Sequence, residues 1–243
     1  MKRLITISLA AVLLFAGCAP KASISPSASP EAVVQAFLDS LDAGDISTCL
    51  NLLSDDVIFR QEPPGITLRG KGDIEAALRQ GITWHQKYTI TSPLNVEGDT
   101  VTLSARVSSD QFEIIGIDGM NASFEFVVRD GKIQSYTARP SNEGWNKTLE
   151  LSSGGVGIKI DVEEKGLRVE ALAKNSPALA AGIQPGDLVI AVNGLNYSEM
   201  REGEAALRIS GKIGSKVSLT VLRRDSAPIE VEITRVPFAE LQW

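Results

Sequence analysis

The segment from Gly154 to Gly194 limits the fold of this chain more than any other stretch, because glycines, prolines and apolar residues recur in it at defined intervals. It opens with the glycine-rich loop Gly154-Gly155-Val156-Gly157, which leads into the alternating apolar residues Ile158 and Ile160. Glycines allow successive backbone N–H groups to turn toward one point, and such a concavity binds anions. We therefore predict an anion-binding loop that leads directly into a β-strand.

Turn and cap residues divide the remainder of the segment. Lys165-Gly166 and Asn193-Gly194 are turn signals that bound two further apolar strands. Between these strands, a serine cap, a proline in the first turn and a glycine stop predict a short helix. The first of these strands contains Leu167, Val169 and Ala171, and the second runs from Asp187 to Val192. In the helix between them, Ser176 is the cap, Pro177 lies in the first turn and Gly182 is the stop.

These residues resemble a PDZ domain of the bacterial type that is found beside envelope proteases. The likeness is carried by Ser176-Pro177-Ala178, the run from Ala181 to Asp187, and Ala191-Val192-Asn193-Gly194. It continues to about Val236, through a predicted helix at Met200–Ile209 and strands at Val217–Leu222 and Ile229–Ile233. The resemblance implies a PDZ domain over residues 152–237, β-barrel-like with two helices, followed by a C-terminal tail at 238–243.

A PDZ resemblance implies that an extended peptide adds a strand beside Ile158–Ile160 and places its carboxylate in the glycine loop. The family's loop aligns so that Gly155, Val156, Gly157 and Ile158 supply the amides. Ile158, Ile160, Ala205 and Ile209 would line the pocket for the last peptide side chain; the alternative for these four residues is plain core packing. Arg208 falls where relatives often have leucine, which leaves the helix register open by one residue.

The chain begins with a pattern typical of a lipoprotein leader. Lys2-Arg3 precede an apolar run from Leu4 to Phe15, which is too short to span a bilayer and is followed by Ala16-Gly17-Cys18. This resembles the bacterial lipoprotein box, although Phe15 replaces the usual leucine. We predict a signal peptide at 1–17, lipid attachment to Cys18 and a flexible tether at 18–28; an ordinary secretory signal is the alternative.

Residues 29–148 predict an α+β domain in which helices precede a curved antiparallel sheet. Helices are indicated after Ser29, after Asp45 and over Asp73–Gln80. Cys49 lies on the apolar face of the second helix and is expected to be a buried small residue. Strands are indicated at 57–59, 88–96, 100–107, 112–117, 122–128 and 133–138.

This order resembles the nuclear transport factor 2-like or SnoaL-like family, a conical fold. The phrases that carry the likeness are Val34-x-x-Phe37-Leu38, Leu53 to Phe59, Gly70 to Ile74 and Phe124 to Ile133. Enzymatic members place an Asp, His or Tyr inside the cone. The candidates here are Asp56, His85, Tyr88 and Tyr136, with Trp84 as a possible wall. For each of them a structural role is the alternative.

Composition restricts the remaining functions. A net charge of -6 and a pI near 5.0 give no reason to expect nucleic-acid binding. One histidine and two cysteines favour neither a metal site nor a cofactor. We expect a non-catalytic, membrane-anchored envelope lipoprotein that binds proteins or C-terminal peptides.

Two other interpretations stay open. One is an enzyme or small-molecule binder that uses the cone pocket, and another is an adaptor for an envelope protease. A protease itself is not expected, because only Pro237–Trp243 follow the predicted PDZ strands. The tail carries Phe238, Leu241 and Trp243, which either pack on a domain flank or dock Trp243 in a PDZ groove. Oligomeric state has no signal in the sequence.

Overall fold

The computed structural model describes residues 28–224 and 226–243. The predicted signal peptide, Cys18 and nearly all of the predicted tether lie outside these residues. The described chain is α+β, and its two main sheets define an N-terminal domain and a C-terminal domain. No helix among the described residues has both the length and the apolar character needed to cross a membrane.

The N-terminal domain, residues 28–152, combines helices with one curved sheet. Its helices are α1 (Pro30–Asp42), α2 (Ile46–Leu52), α3 (Gly70–Thr83), α4 (Asp110–Ile115) and α5 (Asn142–Ser152). Its strands are β1 (Leu53–Gln61), β2 (Ile66–Arg69), β3 (Lys87–Ile90), β4 (Asn95–Glu97), β5 (Thr100–Ser108), β6 (Met120–Arg129) and β7 (Lys132–Pro140).

Local signals explain where the first helices begin. The Ser29 hydroxyl accepts a hydrogen bond from the Ala32 N–H at 3.3 Å, and Asp45 accepts one from the Thr48 N–H at 3.0 Å. Both residues thus satisfy N–H groups that a helix leaves free in its first turn. The capped helix α1 then buries Val33, Val34 and Phe37 against the sheet.

The sheet of the N-terminal domain has the order β2-β1-β7-β6-β5-β3, with β4 paired to β5. All its neighbouring strands are antiparallel except β1 and β7, which run parallel. The strand β5 alternates buried and partly exposed residues, as predicted, because a strand presents successive side chains to opposite faces. Its buried residues are Val101, Leu103, Ala105 and Val107.

The predicted strand at 112–117 is wrong, because most of this stretch forms the helix α4. The Ser109 hydroxyl accepts from the Phe112 N–H at 3.4 Å, and Gly116 ends the helix in the left-handed region at φ 93. The single strand expected at 88–96 is instead divided into β3 and β4, with Pro93 between them. The helix α5 had no counterpart in the prediction.

The C-terminal domain is built on an open sheet. Its strands are β8 (Gly154–Gly155), β9 (Ile158–Glu163), β10 (Gly166–Leu172), β11 (Leu188–Val192), β12 (Leu195–Asn196), β13 (Lys216–Leu222), β14 (Ile229–Thr234) and β15 (Val236–Pro237). The helices are α6 (Pro177–Ala180) and α7 (Glu204–Ile209), with 3-10 turns at Tyr197–Glu199 and Phe238–Glu240.

The main C-terminal sheet is antiparallel, with the order β14-β13-β11-β10-β9 and β12 paired to β11. It does not close, which differs from the barrel-like form expected from the sequence. The short strands β8 and β15 pair separately. The helix predicted at Met200–Ile209 starts later, at Glu204, because Gly203 precedes it with φ 80.

Candidate functional site

The strand β9 is an edge of the C-terminal sheet. It pairs with β10 on one side, and no strand among the described residues pairs with its other side. Ile158 and Ile160 are partly buried, whereas Val162 is 68% exposed. An edge strand offers a row of N–H and C=O groups that an extended chain can pair with. The predicted peptide-binding strand is therefore available for β-augmentation.

The glycine loop before β9 is held in place by its carbonyl groups. The Val156 carbonyl accepts from the Ala178 N–H at 3.1 Å, and the Gly157 carbonyl accepts from the Ala173 N–H at 3.0 Å. Within the described residues, the N–H groups of Val156 and Gly157 have no acceptor. Both residues are buried, and buried backbone donors rarely lack a partner. The loop thus presents two adjacent donors that suit an anion.

The Gly155 N–H, which was expected to be one of the loop amides that bind the peptide carboxylate, pairs with another strand instead. Gly155 lies opposite Val236 in the β8–β15 pair, and the Phe238 N–H donates to the Ser153 carbonyl at 3.2 Å. Hydrogen-bonded and non-bonded residue pairs alternate along antiparallel strands. Ser153 and Phe238 form a hydrogen-bonded pair, so the pair two residues further on, Gly155 and Val236, is hydrogen-bonded as well, and the Gly155 N–H is directed to the Val236 carbonyl. The sequence alone could not show this, because β15 is far from β8 in the chain.

Gly157 is constrained by its backbone and by its neighbours. Its φ is 75, in the region that favours glycine. A Cβ there would lie 2.3 Å from the Ser176 Cβ and 2.9 Å from a Leu241 methyl carbon. Substitution of Gly157 would therefore strain the loop itself and is unsuitable as a probe of peptide binding.

The structure brings the four predicted pocket residues together. Ala205 and Ile209 of α7 are buried in the core of the C-terminal domain, and Ile158 and Ile160 pack against the same cluster. Arg208 lies on a different face of α7 from Ala205 and Ile209 and donates to Glu204 at 2.6 and 2.8 Å. The helix therefore has the register in which Ala205 and Ile209 face the core. Whether these residues bind a ligand side chain stays a prediction.

The tail packs on the flank of the glycine loop. The Asn175 side chain donates to the Glu240 carbonyl at 2.6 Å and accepts from the Gln242 N–H at 2.9 Å. A Cβ on Gly155 would lie 2.2 Å from the Phe238 ring, so this glycine makes room for the tail. Trp243 is 62% exposed, which is more than a side chain docked in a groove would be.

Tyr88 and Tyr136 lie in an aromatic cluster inside the N-terminal domain. Tyr136 stacks on Phe126 at 5.7 Å between ring centroids, and Tyr88 meets Phe124 edge-on at 5.8 Å. Burial raises the pKa of Tyr88 to about 12 and that of Tyr136 further. Burial also raises the pKa of the Cys49 thiol to about 11, so these groups stay protonated near neutral pH.

The other N-terminal candidates lie outside that cluster. Asp56 is an exposed residue of β1. Trp84 and His85 follow α3: Trp84 contacts Arg201 of the C-terminal domain, and the His85 side chain is 69% exposed, so neither lies in the position expected for a cone pocket. The Arg201 guanidinium lies over the Trp84 ring, 4.8 Å from its centroid, and His85 Nδ1 is 2.7 Å from Asp110 Oδ2.

Two residues that the sequence did not single out, Asp110 and Arg201, form an ion pair across the domain junction. The hydrogen bond with His85, together with Arg201, holds the pKa of Asp110 below its ordinary value. The two residues are 91 positions apart, so no local sequence pattern relates them.

Two clefts formed by described residues lie at this junction. One, of about 220 Å³, is lined by residues of both domains that include Ile114, Leu151 and Arg235. The other, of about 460 Å³, lies between α4 and α7 and includes Asp110, Arg201 and Glu204. Neither cleft lies inside the N-terminal domain or between β9 and α7.

Comparison with protein families agrees with this architecture. Residues 34–136 match the family model of the SnoaL-like domain, and residues 146–222 match that of the PDZ domain. The chain therefore carries a SnoaL-like, NTF2-like domain followed by a PDZ domain, as the sequence predicted. A PDZ domain supports a role in binding proteins or peptides.

The chain is also similar to curated proteases. It is 31% identical over 106 residues to the carboxy-terminal processing protease CtpA of Bacillus subtilis, covering 44% of this chain and 23% of that protein. It is 29% identical over 144 residues to the periplasmic serine endoprotease DegP of Salmonella typhimurium, covering 55% and 29%. The chain spans less than a third of the length of either relative.

A solved structure of an NTF2-like protein of unknown function from Cytophaga hutchinsonii also matches this chain. Its TM-score is 0.41 at 14% identity, and the match covers 49% of this chain and 95% of that chain.

Proposed function

We propose that this chain is a non-catalytic, membrane-anchored lipoprotein of the bacterial cell envelope whose PDZ domain binds the C-terminal segments of other proteins. The observation that carries the proposal is the pair of buried N–H groups of Val156 and Gly157, which have no acceptor among the described residues. They lie directly before the open edge of β9, where a bound strand would end.

In the proposed complex, each part of a peptide ligand has its own partner in the PDZ domain. Its backbone pairs with β9 and its terminal carboxylate accepts from the Val156 and Gly157 N–H groups. Its last side chain meets the apolar cluster of Ile158, Ile160 and Ile209. Hydrogen bonds to a charged group are stronger than those between neutral groups, so the carboxylate supplies selectivity for chain ends.

A non-catalytic role fits the interior of the N-terminal domain. The space between α1 and the sheet is filled by aromatic rings from Phe37, Phe59, Phe126 and Tyr136. Among the described residues of this domain, the buried polar side chains are Ser40, Ser109 and Thr137, and none is a carboxylate. The candidate acids or bases that lie in this interior are Tyr88 and Tyr136, and their raised pKa values keep both protonated near neutral pH, so neither is available as a general base.

The envelope location and the anchor rest on the sequence pattern that ends at Cys18. Similarity to a protease named as periplasmic supports the same compartment. Acyl chains on Cys18 would hold the protein at a membrane surface on the extracytoplasmic side. The role as an adaptor that presents substrates to an envelope protease is compatible with this location.

Peptide binding is tested with an array of C-terminal decapeptides, each with a free carboxylate and again as the amide, on the detergent-solubilised full chain. We expect the acid form of the best binder to bind about 10- to 100-fold more tightly, because the amide loses charge-assisted hydrogen bonds of about 1.5–3 kcal/mol. Equal affinities for the two forms would contradict recognition of a chain end.

A further inference from the structure

The helix α7, the expected helical wall of the peptide groove, packs in two directions. One face buries Ala205 and Ile209 in the core of the C-terminal domain. Another face, with Glu204, Leu207 and Arg208, borders the clefts at the domain junction. There α7 meets α4 of the N-terminal domain. The position of the groove wall therefore depends on both domains.

Three residues, which we call the junction latch, connect the two domains beside the start of α7: Trp84, Asp110 and Arg201. The Arg201 guanidinium lies 4.8 Å from the Trp84 ring centroid and forms an ion pair with Asp110. It also donates to the Thr83 carbonyl at 3.4 Å. Trp84 is only 3% exposed, whereas the Arg201 side chain is 36% exposed, so the contact joins a buried ring to a partly solvated cation.

Each side of the latch is fixed within its own domain. On the N-terminal side, Asp110 contacts His85 at 2.7 Å, and its N–H donates to the Trp84 carbonyl at 3.0 Å. On the C-terminal side, the Arg201 N–H donates to the Glu204 carboxylate at 3.3 Å. Glu204 is 4% exposed and begins α7, so the latch is joined directly to the first turn of the groove wall.

The two wall residues of α7 are covered in this arrangement. Ala205 and Ile209 are 3% and 6% exposed, and Ile158 and Ile160 of β9 pack against the cluster that contains them. A peptide side chain that enters between β9 and α7 has to displace α7 from β9. Because α7 is held against α4 by the latch, this displacement has to loosen the contact between the domains.

We propose that the junction latch restrains peptide entry, so that Asp110 and Arg201 are positioning residues which keep α7 close to β9. This inference rests on the proposed function of the same groove. The N-terminal domain is then a support that sets how readily the groove opens, and peptide binding changes the contact between the domains. Coupling is reciprocal, so release of the latch strengthens peptide binding.

The test uses Asp110→Asn, which removes the ion pair from the side that lies outside the PDZ domain and keeps a hydrogen-bonding side chain. The matched control is Glu75→Gln, which removes an exposed ion pair with Arg79 within the N-terminal domain alone. We expect Asp110→Asn to bind the best array peptide about fivefold more tightly, at the low end of typical allosteric coupling, and Glu75→Gln to bind it as the wild type does.

A double variant shows whether one contact carries the effect. Arg201→Ala should tighten binding like Asp110→Asn, and the double variant should gain no more than the larger single effect, because both changes break the same contact. Unchanged or weaker binding in Asp110→Asn and Arg201→Ala would overturn the proposal. An equal gain in peptide affinity in the control variant Glu75→Gln would overturn the proposal as well.

Hydrogen exchange without peptide separates this proposal from the proposed function. The backbone amides of α4 and α7 should exchange faster in Asp110→Asn than in the wild type and Glu75→Gln. Equal exchange in all three proteins would overturn the latch even if peptides bind. If no peptide binds any of them, the proposed function fails, and the role of the latch in peptide entry fails with it.

Discussion

At the residue scale, Asp187 is a charged group of the PDZ domain that is almost completely buried. It is 1% exposed, and both of its carboxylate oxygens accept from Arg223 at 2.8 Å. One of them also accepts from the Gln184 N–H at 2.9 Å. Hydrogen bonds from Arg223, followed by the bond from Gln184, hold the pKa of Asp187 below its ordinary value.

We predict that Asp187→Asn lowers the free energy of unfolding by about 2 kcal/mol, because a buried, charge-assisted hydrogen-bond pair is lost. Chemical denaturation at neutral pH measures this change. Asp118→Asn is the control, since Asp118 pairs with Arg106 while its side chain is 94% exposed. A loss as large in the control would show that the burial of Asp187 is not the cause.

The lowered pKa of Asp187 also determines how its contribution to the stability of the folded state changes with pH. Asp187 stabilises the folded state fully above the ordinary aspartate pKa of about 3.9, and this contribution disappears as the pH falls through the lower folded value. The difference in stability between wild type and Asp187→Asn should therefore shrink on acidification. A difference that grew as the pH fell would contradict this assignment.

Residue-level prediction from sequence succeeded where the cause is local. Ser29, Asp45 and Ser176 are recognisable as caps, because a cap bonds to an N–H three residues later. The Asp110–Arg201 pair and the direction of the Gly155 N–H were not predictable, since each depends on a segment far away in the chain.

At the scale of elements, strands with strict alternation, such as β5, were predicted correctly. The helix α4 was missed because its short apolar run is compatible with either a strand or a helix. Its Ser109 cap and Gly116 stop were the signals that favoured a helix. The edge position of β9 depends on the order of the whole sheet, so it was implied by the PDZ resemblance and not by the local pattern of residues.

The tail is an element whose role can be separated from peptide binding. Asn175→Ala removes the two side-chain hydrogen bonds to Glu240 and Gln242 and leaves the bond from the Lys174 N–H to the Gln242 carbonyl, at 2.7 Å. We expect faster hydrogen exchange in residues 240–243 and a peptide affinity within about twofold of the wild type, because Trp243 is more exposed than a docked side chain would be. Asn95→Ala, at an exposed N-terminal position, is the control. A clear rise in affinity in Asn175→Ala would instead indicate autoinhibition by the tail.

At the scale of the whole molecule, the two domains share a polar and aromatic junction, and the proposed anchor fixes one end of the chain at a membrane. The leader pattern predicts lipid attachment to Cys18. The order of the two domains was predictable from sequence, because each carries its own signature. Their contact was not, because it depends on side chains that meet only after both domains have folded.

Cys18→Ser should release the protein from the membrane fraction, because the acyl chains supply the binding energy at the bilayer. Cys49→Ser is the matched control: Cys49 is a buried residue of α2, so its loss should affect stability without changing fractionation. Membrane association of Cys18→Ser equal to that of the wild type would contradict the anchor. So would an unmodified Cys18 in mass spectra of the wild-type protein.

The central claim is that Val156 and Gly157 donate to a peptide carboxylate at the end of β9. Its most direct test is an NMR titration of ¹⁵N-labelled protein with the best array peptide as acid and as amide. We expect the Val156 and Gly157 amide protons to move downfield in a saturable way with the acid peptide only, while β9 amides respond to both forms. Unmoved Val156 and Gly157 resonances at saturation with the acid peptide would contradict the account.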